Sequence, residues 1–307
     1  MSQKQKSPFL NGFRVFMIEK QKGLKSFSMS RAIGLNEKCF ERIQSIHPDR
    51  SKGVALVIHG LNLKPDKMDA IINLLTHSDI DVLNVSLSGH GKNYNPKEPM
   101  NESSARMATF KTVSYELWTK ETYLAYDIAE KMSREKHVPL FLVGYSLGGL
   151  MGVNMFASYS DAHFNRMVLL APALRIHTIY YLIKCLFPFP KLVVPSFSSV
   201  SYRANFGTPV AAYHVLFEAI EHIHQTMTSK LNIPTIVIID SQDELVPYER
   251  LIRIIKSKDF NQWKLHLLKK SKKVAKEKPH HLIVDESMVG KDSWDGMKRL
   301  IIRHLLP

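Results

Sequence analysis

Four short apolar runs mark out the chain: VALVIHG (54–60), IDVLNVS (80–86), PLFLVG (139–144) and TIVIID (235–240). A fifth, RMVLLAPAL (166–174), resembles them. Runs that do not alternate with polar residues fit buried parallel strands, because helices cover both faces of such a sheet. Between the runs the period becomes helical. In ELWTKETYLAYDIAEKMS, Leu117, Leu124, Ile128 and Met132 fall on one stripe, with Ala125 and Ala129 beside it. Trp294, Met297, Ile301 and Leu305 repeat the pattern near the end, behind Ser293, which reads as an N-cap. Strand and helix alternate, which predicts an α/β fold with a mostly parallel central sheet flanked by helices.

Two regions depart from the alternation. Residues 1–50 are expected to supply antiparallel edge strands, one in GFRVFMIE and one around Cys39–His47. Residues 175–230 hold the apolar cluster IYYLIKCLFPFPKLVVP and then a helical pattern through YHVLFEAIEHIHQTM. They separate two core strands, so they read as an inserted helical cap subdomain laid across the C-terminal edge of the sheet. The expected organisation is an N-terminal segment with edge strands (1–50), a first core part (51–174), the cap insert (175–230) and a second core part (231–307).

Composition narrows the function classes. With 307 residues, 45% hydrophobic and 23% charged, the chain can bury a large core and has ordinary globular balance. No stretch approaches the roughly 18 apolar residues of a spanning helix. The N-terminus has early lysines but no apolar segment before a cleavage site, so the expected location is cytoplasmic, at most peripheral to a membrane. Cys39 and Cys185 lie far apart without metal-ligand spacing, which suits a reducing compartment.

The net charge is +14, and part of it sits in LKKSKKVAKEK, residues 268–278, where six lysines face Glu277. The run reads as a solvated loop, with weak contact to an anionic membrane surface as the alternative. No aromatic residue interleaves the lysines, so nucleic acid is not expected as a partner.

The chemistry concentrates at PLFLVGYSLGGLMGVNMF, residues 139–156. An apolar strand stops at Gly144 and a helical pattern starts after Gly149. A turn this tight forces its middle residue, Ser146, into a strained conformation with the side chain thrust outward. The positions two before and two after it must be tiny, and they are Gly144 and Gly148. Gly149 and Gly152 let the following helix sit close to the sheet. The Ser146 hydroxyl then lies at a helix N-terminus, where N–H groups favour negative charge. A serine exposed in this way is a nucleophile once a neighbouring base takes its proton.

Three further stretches make the chain resemble the α/β-hydrolase superfamily over roughly residues 40–307. VIHGLN (57–62) resembles the family's His-Gly segment, which implies that the Leu61 N–H forms an oxyanion hole together with the N–H of Leu147. SLSGHGKN (86–93) resembles the Asp-x-x-Gly-His-Gly-x-Ser stretch, departing from it by Ser86 for the aspartate and Asn93 for the serine. IIDSQDELVP (238–247) resembles the segment with the triad acid, an aspartate before a Val-Pro pair. That implies Asp243, ahead of Val246 and Pro247, with Asp240 and Glu244 as rivals.

With the order Ser, Asp, His, the base lies among His266, His280, His281 and His304. His266 falls in a strand pattern and His304 on the terminal helix. Of the remaining pair, His281 is favoured, since lipase-like relatives follow the base with two apolar residues and then an acid; His280 stays open. His59 and His90 are expected to hold the oxyanion loops in shape. No metal and no cofactor is called for.

The resemblance is nearest to monoglyceride lipases, lysophospholipases and carboxylesterases. It implies a serine hydrolase acting on a small-molecule acyl ester or lipid, with the apolar cap roofing an acyl pocket. Two alternatives stand: a thioesterase or amidase with the same triad, and a non-catalytic hydrolase-like protein that associates with membranes.

Overall fold

In this computed structural model, residues 39–96, 98–196 and 198–307 are described. The segment GFRVFMIE, expected to form an edge strand, lies outside them. In chain order the strands are β1 (Phe40–Ile43), β2 (Gly53–Ile58), β3 (Ile80–Val85), β4 (Leu140–Tyr145), β5 (Arg166–Leu170), β6 (Val193–Pro195), β7 (Gly207–Pro209), β8 (Thr235–Asp240) and β9 (Trp263–Leu268). The helices are α1 (Asp69–Thr76), α2 (Glu102–Phe110), α3 (Tyr115–Lys136), α4 (Leu147–Ser158), α5 (Val210–Thr226), α6 (Tyr248–Ser257), α7 (Lys272–Glu277), α8 (Glu286–Val289) and α9 (Lys291–Leu305).

Seven strands form one sheet in the order β1-β3-β2-β4-β5-β8-β9. Every neighbouring pair in it is parallel except β1 with β3, which supplies the antiparallel edge. Every residue of β2, β3, β4 and β8 is buried, which is why those stretches are apolar without alternation. Helices α3, α4 and α5 pack against one another, and α3 and α4 against the central strands.

Two local expectations differ from the structure. Helix α3 is buried over a wide arc that includes Trp118, Thr119, Glu121, Thr122 and Ala125, while Leu117 and Met132 are only half-buried. It lies between the sheet and a neighbouring helix, so polar positions are covered too. Ser293 does not cap α9, which starts two residues earlier after Gly290; the Ser293 hydroxyl instead donates to the Lys269 carbonyl at 2.7 Å.

Between β5 and β8 the chain makes a 3-10 helix at Thr178–Leu186 and the two-stranded ribbon β6–β7 before entering α5. The 3-10 helix has no fully buried residue, whereas α5 buries Val215, Leu216, Ala219, Ile220 and Ile223. Among the described residues no helix is long and apolar enough to cross a membrane.

Candidate active site

The ends of four parallel strands converge on one place, as open parallel sheets provide at their C-terminal edge. Leu61 follows β2, Ser146 follows β4, Asp243 follows β8 and His281 follows β9.

Ser146 has φ 51° and ψ −114°, a left-handed conformation that an L-residue adopts only under constraint. The constraint is visible in the backbone bonds: Ser146 N–H donates to Leu170 O at 2.9 Å, and Ser146 O accepts from Leu150 N and Ala173 N. The glycines flanking it answer to contact distances. A Cβ on Gly148 would stand 2.1 Å from the Ile58 carbonyl oxygen, and one on Gly144 would stand 2.5 Å from Gly149 Cα. Helix α4 therefore starts directly against β2, with Ser146 just before its first turn.

His281 Nε2 lies 2.8 Å from Ser146 Oγ. Its Nδ1 donates to the Asp243 carboxylate, at 2.8 Å from Oδ2 and 3.0 Å from Oδ1. All three side chains are buried. Asp243 Oδ1 also accepts from Leu245 N and Val246 N, each at 2.8 Å. Burial alone would raise the Asp243 carboxyl. The charge and hydrogen bond of His281 and the two backbone donors outweigh it and hold the carboxyl below its usual range.

The two rival acids are engaged elsewhere: Asp240 with His280 Nδ1 at 2.9 Å, and Glu244 with the His281 backbone N–H at 2.9 Å. Lys270, half-buried, donates to the carbonyls of Pro279 and Leu282 and so brackets the His280–His281 dipeptide. The lysine run that reads as a loop is in part the short helix α7, capped by Ser271.

Among the described residues, neither Leu61 N–H nor Leu147 N–H is bonded to a protein acceptor. Their surroundings are tightly fixed. Asn62, at φ 54°, donates its backbone N–H to His90 Nε2 at 3.0 Å, and its side chain exchanges two bonds with the Asn205 backbone. His59 Nε2 accepts from Leu87 N at 3.1 Å, and His59 Nδ1 bonds Gly60 O at 2.8 Å. Burial lowers His59 to about 4 and His90 well below its usual value, so both stay neutral and can accept these bonds.

Glu121 on α3 completes this layer, and no sequence signal marks it. Its carboxylate is fully buried and accepts from Ser88 N at 2.8 Å, Ser88 Oγ at 2.5 Å and Asn93 Nδ2 at 2.9 Å. It holds the 86–93 loop where Ser86 and Asn93 depart from the family stretch. Among the described residues no three or more His, Cys, Asp or Glu side chains group as a metal site.

A cavity of about 440 Å³ opens onto Ser146 and His281. Ile176, Ile183, Leu216, Phe217, Leu245 and Val246 give it apolar walls.

A family model described as serine aminopeptidase, S33 (Hydrolase_4) matches residues 49–207, just over half of the chain. No curated protein matches the chain in sequence. Several solved structures share its fold. A metagenome-derived lipolytic enzyme of the LipS and LipT pair is 20% identical, covers 86% of this chain and 96% of its own, and has a TM-score of 0.65. A soluble variant of the monoglyceride lipase of Saccharomyces cerevisiae, in complex with a substrate analog, is 13% identical over 87% of this chain and 92% of its own, with a TM-score of 0.67. The monoacylglycerol lipase of Paleococcus ferrophilus is 16% identical over 86% of this chain and 98% of its own, with a TM-score of 0.60.

Proposed function

The chain belongs to the serine aminopeptidase, S33 family of α/β-hydrolases, and we propose that it cleaves carboxylic esters of lipid-like acids through an acyl-enzyme. The observation that carries this reading is the unbroken hydrogen-bond line from Ser146 Oγ through His281 to Asp243. Ser146 Oγ attacks the ester carbonyl while its proton passes to His281 Nε2. The new negative charge falls on the carbonyl oxygen, which the N–H groups of Leu61 and Leu147 receive. His281 then gives the proton to the departing alcohol oxygen, leaving Ser146 acylated. Water attacks the acyl carbon, its proton goes to His281, and the acid leaves as Ser146 regains a hydrogen. Asp243 stays ionised throughout and keeps the imidazole in the tautomer that accepts at Nε2.

The cavity walls favour reading the substrate as an ester rather than a peptide. An aminopeptidase needs a carboxylate to receive the substrate's terminal ammonium. The described lining residues offer one acid, Glu244, and one of its two oxygens already accepts from the His281 N–H. The greasy walls suit an acyl chain, and the chain shares its fold with monoglyceride lipases. The same triad would also cleave a thioester, and no residue in the walls favours sulfur over oxygen.

The test is active-site labelling. A fluorophosphonate probe should modify wild type at Ser146 and leave Ser146→Ala unmodified. Equal labelling of the alanine variant overturns the assignment.

A further inference from the structure

Two charged side chains besides the triad histidine line the otherwise greasy cavity, Glu244 beside His281 and Arg203. Arg203 lines it, together with Ser196, Ser198 and Thr208 from the same stretch of chain. The Arg203 guanidinium donates to the Ser196 carbonyl at 3.0 Å. Among the described residues no carboxylate pairs with it. A guanidinium carries five donors in a planar fork that matches carboxylate and phosphate oxygens, and one backbone carbonyl leaves most of them unused.

Its position is set by the backbone. Leu63 and Arg203 form an antiparallel bridge, flanked by Lys64 N to Tyr202 O and Ala204 N to Asn62 O, each at 2.8 Å. Arg203 is thus fixed opposite the segment that carries Leu61. Two further cations touch the residues on either side of it. Arg106 Nε bonds the Ala204 carbonyl at 3.1 Å, and Lys67 Nζ lies 5.5 Å from the Tyr202 ring centre. Against these cations stand Asp285, which accepts from the Tyr202 hydroxyl at 2.6 Å, and Glu244, which lines the cavity at His281 and accepts from its N–H.

From this placement we infer that the cavity selects esters bearing an anionic group, a phosphate or a carboxylate, which pairs with Arg203 while the acyl chain fills the apolar walls. The inference deepens the ester-hydrolase reading and rests on it. Arg203 is a specificity-determining residue here, binding substrate away from the reacting carbonyl. A pairing of this kind in a half-desolvated pocket outweighs its exposed counterpart, since solvent screens it less.

The experiment compares three soluble esters of one acid: hexanoylglycerol, hexanoyl glycerophosphate and hexanoyl glycerate. Wild type should favour at least one anionic ester over hexanoylglycerol by about tenfold or more in kcat/KM, the yield of one charge-assisted hydrogen bond. The gain should lie in KM. In Arg203→Gln that ratio should collapse to near one, and Arg203→Lys should keep part of it. The ratio is read within each variant, so a smaller folded fraction scales both values alike. Preference for the phosphate or for the carboxylate identifies which anion the fork fits. A wild-type ratio near one, or a ratio that Arg203→Gln leaves intact, overturns the inference and leaves the hydrolase standing. No turnover of any ester removes the hydrolase reading and this inference with it.

Discussion

Glu121 is a fully buried carboxylate without a cationic partner among its hydrogen bonds, which makes it a sensitive probe of the layer formed by His59, His90 and the 86–93 loop. Two effects oppose each other there. Burial disfavours the ionised form, while Ser88 and Asn93 donate three hydrogen bonds to it. Burial wins, and the carboxyl is pushed from 4.5 up to about 7. A carboxyl raised in the fold binds its proton more tightly folded than unfolded. Its contribution is therefore fully present below about 4.5 and is lost as pH climbs through about 7.

At 1.36 kcal/mol per unit, the shift amounts to about 3 kcal/mol, of which about 2.5 kcal/mol falls between about pH 5 and about pH 8. Glu121→Gln removes the titration and keeps the shape. The stability of wild type minus that of the variant should thus drop by about 2–3 kcal/mol between those two pH values, read from urea denaturation with equal slopes. His59 and His90 remain in both proteins, so their own pH dependence cancels in the difference. A difference that does not change with pH would refute the reasoning, because the three donors would then be holding the carboxylate at its ordinary value.

Two further outcomes follow from the site. His281→Ala should lower ester turnover by several orders of magnitude, while His280→Ala, which removes only the pairing with Asp240, should cost about tenfold or less with folding checked by circular dichroism. A dead His280 variant beside an active His281 variant would move the base by one residue. Gly148→Ala should destabilise the fold by about 2–3 kcal/mol, because its methyl meets the Ile58 carbonyl rather than a side chain that can turn away. A melting temperature equal to wild type would mean that α4 can shift without cost.

The sheet was legible because buried parallel strands carry their signal in composition: each of the five apolar runs overlaps a strand. The turn at Ser146 was legible because its glycines are dictated by contact with Ile58 O and Gly149 Cα. The choice between His280 and His281 rested on the resemblance to lipase-like relatives, in the residues that follow the base. In the structure they form separate pairs, with Asp240 and Asp243. Glu121 escaped for a physical reason. Helical periodicity reads an acid as the solvent face, and α3 has little solvent face where the sheet and the 86–93 loop both cover it. Lys270 escaped likewise, one lysine in a run whose neighbours are solvated. The Ser293 cap failed because several residues near a helix start can serve, and the chain turned at Gly290 instead.

The reciprocal bonds between Asn62 and Asn205 span 143 residues of sequence and stitch the inserted segment to the loop after β2. The Asn205 side chain also donates to Gly89 O at 2.9 Å, so a single residue, through its backbone and its side chain, ties three separate stretches together. The insert is therefore not a detachable module. A chimera that replaces residues 175–209 with the corresponding piece of a relative would have to bring its own partner for Asn62, or it would transplant a new roof while loosening the floor. Exchange is better tolerated at the 3-10 helix, Thr178–Leu186, which buries none of its residues fully. Sequence can thus drift in one part of this segment while the other stays in register with the core.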